Sequence, residues 1–395
     1  MGFIFHVSRT WEQALRKFPC MASGLLASFA LIAWLGAGSL ALAKGAPRSS
    51  PYAVIEVGSK GVKAFVFDID AARDDKCQAD EEAYLKCLDL KQLKPRDVSP
   101  IKQEGFDDTV DAVAAHASEL QNHYHVPSNR LYIVGSSGVA KIEHKDRLRT
   151  AIEEKVRPEN SVDFISVENE AKYSFNGVLS LIPSRFRETR RRQVLLIDIG
   201  SGNTKGSYME MSESTARLVG FGFPWGTVSV TDRINAHRGS GDFVAAAVDW
   251  RDNAFIPEIR SAFDRKPGTV SRDRVYLIGG LPWALVTLTQ PANKQKFPRV
   301  TVDQIERLLR DATAADAEGR LCSQNPHNKP GSETERVCNV FSINNLIAGG
   351  QILKALAQEM KLSNESKRVF FIRDSQFAWP LGYLRSQLEG ESDSP

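Results

Sequence analysis

The chain has 395 residues, 42% hydrophobic and 25% charged, ordinary fractions for a folded protein that exclude disorder and a collagen-like repeat. Such a length holds about two to three domain-sized units. Lysine plus arginine is 51 and aspartate plus glutamate 48, and a net charge of +3 is too weak to make nucleic acid a default partner.

Residues 1–50 read as an export signal or membrane anchor. Arg9, Arg16 and Lys17 precede an uncharged stretch from Met21 to Ala43, and Ala41-Leu42-Ala43 before Lys44 has the form of a small-residue cleavage site. The stretch is longer than a usual signal core and long enough to span a bilayer. Two readings stand: a cleaved signal, or an uncleaved inner-membrane anchor through residues 21–43 with its basic end inside. Both place the body outside the cytoplasm, periplasmic or otherwise extracytoplasmic.

The cysteines agree with that location. Cys20 lies ahead of the apolar stretch, and the other four fall into local pairs, Cys77 with Cys87 and Cys322 with Cys338. Each pair brackets a polar segment poor in core residues, where a disulfide restricts the chain. Four cysteines allow three pairings, and the local one is preferred. Zinc is less favoured, because no C-x-x-C pair is present and His327 is the one nearby histidine.

From Pro51 strands alternate with helices, the pattern of an α/β protein. Ala53 to Asp68 predicts strand, glycine turn (Gly58-Ser59-Lys60-Gly61), strand. Thr109 to His123 predicts an amphipathic helix, and Arg130 to Val134 a buried strand ending in Gly135-Ser136-Ser137-Gly138. Val162 to Val167 is a strand and Asn169 to Leu181 a helix. The basic stretch Arg185 to Arg192 lacks apolar periodicity and reads as a linker. Its arginines are either a guide for a polyanion or a solvated loop, the latter preferred.

The opening pattern then returns. Gln193 to Ile199 is a strand, Gly200-Ser201-Gly202-Asn203 a turn and Lys205 to Met211 a second strand. Val54-Ile55-Glu56-Val57-Gly58-Ser59 matches Leu196-Ile197-Asp198-Ile199-Gly200-Ser201 in kind, and such duplication suggests two similar α/β lobes. Arg274 to Ile278 is a strand ending in Gly279-Gly280, Val302 to Ala315 a helix, and Ile343 to Leu362 a helix interrupted at Gly349-Gly350. Arg368 to Ile372 is a last strand and Phe377 to Leu388 a closing helix. The expected division is a first lobe over 51–184 joined by the closing helix 375–390, a linker at 185–192, and a second lobe over 193–374.

A strand that ends in an acid and turns through glycine gathers backbone N–H groups at one point, which suits phosphate. The acid meets phosphate only through a divalent cation or its water. Two such loops, one per lobe, would clamp a phosphate chain across a cleft.

The series of segments resembles the exopolyphosphatase/guanosine pentaphosphate phosphatase (Ppx/GppA) family of the actin-like ATPase superfamily, which is related to apyrases. The resemblance runs from Tyr52 to Leu384 in the family's order. Ile55 to Phe67 and Asp198 to Lys205 resemble its phosphate loops, and Gly135-Ser136-Ser137-Gly138 stands where it has Ala-Thr-Ser-Ala. Ile165-Ser166-Val167-Glu168-Asn169-Glu170-Ala171 resembles its Ile-Ser-Gly-x-Glu-Glu-Ala segment, and Phe223 to Val228 its Leu-Pro-x-Gly-x-Val turn. Ile347 to Leu353 resembles its late glycine-bearing helix, and Trp379-Pro380-Leu381-Gly382 the last apyrase motif.

The resemblance implies two actin-like (ribonuclease H-like) lobes around a central cleft and hydrolysis of a phosphoanhydride, in polyphosphate or a nucleoside polyphosphate. From the residues alone Glu170 is an acid in the first turn of a helix, favourable to its dipole. The resemblance makes it the general base that activates a water. Glu56 and Asp198 would hold Mg²⁺ or another divalent cation through water. Gly58, Ser59, Gly200 and Gly202 would cradle phosphates by backbone N–H, in loops completed by Ser136, Ser137, Ser201 and Asn203. Lys60, Lys141 and Lys205 would add charge.

Several residues depart from the family pattern. Glu56 replaces an aspartate, and one methylene displaces a bound water by about 1 Å, enough to matter for rate. Asn169 replaces the first glutamate of a pair and Val167 a glycine. Ala140 stands where the family has an arginine, with Lys141 one place off, and a lysine does not reproduce a bidentate fork. Lys205 reverses the charge of a glutamate. Either the substrate differs, or the site binds an anion or nucleotide without hydrolysing it. Longer members of the family append a helical domain beyond the segments matched here, so a shorter substrate, or a weaker hold on a long one, is expected.

Overall fold

The computed structural model describes residues 50–59, 61–68, 76–100, 103–212 and 216–392. The expected export segment, with its apolar stretch Met21 to Ala43, and Lys60 lie outside the described residues. Among the described residues no helix is long and apolar enough to cross a membrane.

Two sheets form. The first has five strands in the order β3-β2-β1-β4-β5: β1 (Tyr52–Gly58), β2 (Gly61–Asp68), β3 (Asp89–Gln92), β4 (Leu131–Gly135) and β5 (Val162–Phe164). The second has six in the order β10-β11-β9-β6-β7-β8: β6 (Val194–Ile199), β7 (Thr204–Met211), β8 (Ala216–Phe223), β9 (Arg274–Ile278), β10 (Arg299–Val300) and β11 (Arg368–Phe371). In each sheet an antiparallel hairpin, β1–β2 or β6–β7, lies beside a parallel strand, β4 or β9. The duplicated residues therefore form a duplicated piece of sheet.

Strand alternation separates three apolar layers. Ala53, Ile55 and Val57 pack with Val113 and Leu120 of the Phe106–His123 helix on the outside of the first sheet. Leu195, Ile197 and Ile199 pack with Leu346 and Ile352 of the Ile343–Glu359 helix outside the second. Val54 of one sheet and Leu196 of the other share an inner layer with Phe175, Val178, Tyr383 and Leu384. Those last four come from the Val167–Ser180 helix and the closing Ala378–Ser392 helix. These two helices cross at Gly177 and Gly382: a Cβ on Gly177 would overlap the Ala378 carbonyl, and one on Gly382 the Tyr173 carbonyl. Backbone meets backbone there, which no other residue type permits.

Two segments differ from expectation. Ser184–Gln193 is a helix, not an irregular linker. Its arginines are spent locally: Arg187 donates to Tyr84 Oη at 2.8 Å, Arg190 to Glu81 at 2.6 Å and Arg192 to Glu188 at 2.8 Å. The Ile343–Glu359 helix runs unbroken through Gly349-Gly350, where Leu281 and Leu309 pack close. Strands β3, β8 and β10 have no counterpart in the sequence reading, nor do the helices Glu81–Cys87, Lys145–Val156, Thr227–His237, Phe243–Trp250, Ile256–Asp264, Gly280–Thr289 and Glu333–Val340.

Cys77 and Cys87 lie at disulfide distance with Cα atoms 5.8 Å apart, as do Cys322 and Cys338, also 5.8 Å apart. The first pair fastens the short Glu81–Cys87 helix, which touches both sheets' surroundings. Glu81 lies 3.8 Å from Arg274 of β9, and Glu82 accepts from the Lys296 backbone N–H at 2.6 Å.

Candidate active site

The acids reach the cleft by register. Glu56 follows Val54 on the inner face of β1, and Asp198 follows Leu196 on the inner face of β6. At these strand ends the inner apolar layer gives way to a cavity of about 720 Å³ lined from both sheets. Gly58, Ser59, Ser136, Ser137, Gly200, Ser201, Gly202 and Asn203 line it, with Glu56, Glu170, Asp198 and Lys205.

Glycine is required where β9 enters the site. Gly279 has φ +94° and ψ 178°, a conformation reserved for glycine, and a Cβ there would stand 2.5 Å from Asp198 Oδ1.

Glu170 is placed by its helix. Ser166 caps the Val167–Ser180 helix by accepting from the Asn169 N–H at 3.2 Å, which sets Glu170 in the first turn. Glu170 Oε2 accepts from the Ser137 backbone N–H at 2.8 Å, and Oε1 lies 2.9 Å from Lys205 Nζ. Lys205 Nζ also lies 3.0 Å from Asp198 Oδ2 and donates to Asn203 Oδ1 at 3.2 Å. Asn203 Nδ2 in turn donates to Ser137 Oγ at 3.4 Å, so a polar network joins the two sheets.

Burial pushes the Glu170 carboxyl up, but the Lys205 charge with the Ser137 and Lys205 hydrogen bonds outweighs it and holds the group below its ordinary value. Burial opposes charge on Lys205, yet Asp198 and Glu170 keep it above the ordinary lysine value. Glu56 goes the other way. Burial, with Glu170 nearby, raises it, although Lys63 Nζ lies 3.5 Å from its oxygens.

Two expected phosphate contacts are corrected. Lys141 is exposed and is not part of the cavity lining; Val139, buried in the outer core, anchors the turn and leaves Lys141 on the surface. The Gly200 N–H donates to the Asn203 carbonyl at 3.0 Å, so it closes its own turn instead of pointing at a ligand. The Ser136 N–H is likewise taken, by the Val57 carbonyl at 3.0 Å. At Ser136 the hydroxyl, not the amide, remains for a ligand. Among the described residues lining the cavity none belongs to the arginine cluster of Ser184–Gln193.

A divalent cation does not fit between Asp198 and Glu170, and of the expected pair, Glu56 and Asp198, the second is already held by Lys205. Lys205 already bridges Asp198 and Glu170, with its side chain 5% exposed. Oxygen ligands must lie about 2.0–2.6 Å from Mg²⁺ or Ca²⁺, and the ammonium occupies the place where both carboxylates would supply them. Among the described residues no group of three or more His, Cys, Asp or Glu side chains is arranged to hold a metal.

Sequence reasoning missed Lys63, although counting back from the Gly58–Gly61 turn pairs it with Glu56. It also missed the cavity's outer wall, where Lys296 pairs with Asp374 and Arg373 with Glu333 at 2.9 Å. Those residues come from distant segments without a local pattern.

Compared with protein-family models and with curated proteins, the sequence finds no match. Solved structures do match. A Ppx/GppA family member from Aquifex aeolicus is 15% identical, with TM-score 0.60 over 87% of this chain and 99% of that one. A type II variant of the Aquifex aeolicus Ppx/GppA phosphatase is 14% identical, with TM-score 0.57 over 85% and 98%. An exopolyphosphatase from Cytophaga hutchinsonii is 15% identical, with TM-score 0.57 over 86% and 98%. The chain thus shares the fold of these Ppx/GppA and exopolyphosphatase structures over most of its length.

Proposed function

We propose that the cleft binds a phosphate chain, in polyphosphate or a nucleoside polyphosphate, and hydrolyses its terminal phosphoanhydride bond. One observation carries this reading. The turns at Gly58-Ser59 and Gly200-Ser201-Gly202, with Ser136 and Ser137, converge on one cavity beside the buried Glu170. The relatives of like fold named as exopolyphosphatase or phosphatase support it.

In the reaction a water oxygen bonds to the terminal phosphorus while the bond to the bridging oxygen breaks, that oxygen leaving with the shortened chain and the water's proton passing to Glu170. Glu170 orients that water. Both its oxygens already hold a partner, but a carboxylate oxygen has two acceptor sites, so a water fits beside Ser137 or Lys205. Lys63 and the serine hydroxyls hold the chain's oxygens. No step is assigned to a metal.

A second reading, binding without turnover, is favoured by the Lys205–Glu170 pair at 2.9 Å, which lowers the basicity of Glu170. Phosphate release from polyphosphate, ATP, GTP and guanosine pentaphosphate, measured beside Glu170→Gln, separates the two. Release that vanishes in the variant supports hydrolysis through Glu170. Stabilisation by the same ligands without release supports the binding reading.

We place the body outside the cytoplasm. The two cysteine pairs at disulfide distance support an oxidising compartment. An alkylation assay on the protein from intact cells tests it: free thiols at Cys77, Cys87, Cys322 and Cys338 would refute the location.

A further inference from the structure

We propose that Lys205 is the resident cation of the cleft, so that the site takes a phosphate chain free of divalent metal. The inference rests on the phosphate-chain reading above and adds the ionic form of the ligand.

Three observations carry it. Lys205 Nζ touches Glu170 at 2.9 Å, Asp198 at 3.0 Å and Asn203 at 3.2 Å, three acceptors for its three protons. Its side chain is 5% exposed, so water does not screen the charge. Its position is fixed by the sheet, since β7 sets Lys205 directly opposite Asp198. The ammonium neutralises carboxylate charge at the base of the cavity, as a bound cation would, and is held there covalently. A dication placed between the same carboxylates would collide with it and be repelled.

The remaining charge pattern agrees. Lys63, opposite Glu56 in the other hairpin, has a side chain 41% exposed and lines the same cavity. It faces the ligand with a donor that needs no metal. A metal-free chain presents unmasked oxygens to Lys63 and to the hydroxyls of Ser59 and Ser136. A magnesium-bound chain has some of those oxygens masked and a hydrated dication to accommodate beside Lys205.

The test is calorimetric titration of the oxidised protein with inorganic tripolyphosphate, in excess EDTA and again with magnesium ions. The free chain is expected to bind no more than about twofold more weakly than its magnesium complex, and a larger advantage with magnesium overturns the inference. Binding that appears only with magnesium overturns the inference and leaves the phosphate-chain reading standing. No binding under either condition overturns both. Asp198→Asn/Lys205→Met removes the ammonium together with one carboxylate, which limits the folding penalty. That variant is expected to lose about tenfold or more in EDTA and to recover with magnesium. Unchanged metal-free affinity in the folded variant also overturns the inference.

Discussion

The β1–β2 hairpin sets Glu56 opposite Lys63, and the β6–β7 hairpin sets Asp198 opposite Lys205. Backbone register and charge type repeat. The surroundings do not. Lys63 stands 3.5 Å from its acid with a side chain 41% exposed, whereas Lys205 stands 3.0 Å from Asp198, is 5% exposed and holds Glu170 as well. A duplicated piece of sheet thus yields one open ion pair and one sealed triad. Burial and a second carboxylate, supplied by the Val167–Ser180 helix, make the difference.

Lysine removal probes this most strongly. Lys205→Met strands two buried carboxylates and is expected to cost about 3–5 kcal/mol in urea unfolding. An equal and small loss at both lysines would break the comparison. Gly279→Ala comes next. It forces an alanine into φ +94° beside Asp198, with an expected loss of about 1–3 kcal/mol by the same measurement.

The carboxylates should respond to pH with opposite sign. Glu170 is held below its ordinary value of 4.5, so its stabilisation is present above that pH and lost as pH falls through the folded value. Glu170→Gln should therefore lower Tm at neutral pH, with the deficit shrinking in acid. Glu56 is raised above 4.5, so its charged form opposes folding at higher pH. Glu56→Gln should raise Tm at neutral pH, the gain fading as pH drops towards 4.5. Parallel shifts in the two variants would contradict the assigned environments. The smallest effect belongs to Lys63→Met, about 0–1 kcal/mol for a partly exposed pair.

Local patterns carried most of the sheet. Alternating apolar strands and the Gly-Ser turns announced β1, β2, β6 and β7, because the signal lies within a few consecutive residues. Strand β8 stayed hidden, since Ala216–Phe223 mixes exposed and half-buried positions without a clean period. In the site, Glu56, Asp198 and Glu170 were legible from acid–glycine turns and from resemblance. The ion triad was not. It depends on a helix from one part of the chain reaching a strand from another, and only the folded chain brings Glu170 within 2.9 Å of Lys205. Lys141 misled for the reverse reason: adjacency to Ala140 in sequence says nothing about which way a turn points.

The Glu81–Cys87 helix is fastened by the Cys77–Cys87 pair and reaches Arg274 and the Lys296 backbone across the gap between the sheets. It is a buckle on a strap. With the strap closed, separating the sheets at that edge would first have to break the Glu81–Arg274 and Glu82–Lys296 contacts. Reduction would slacken the buckle, so the two contacts that the helix carries across the gap are expected to loosen in a reducing environment.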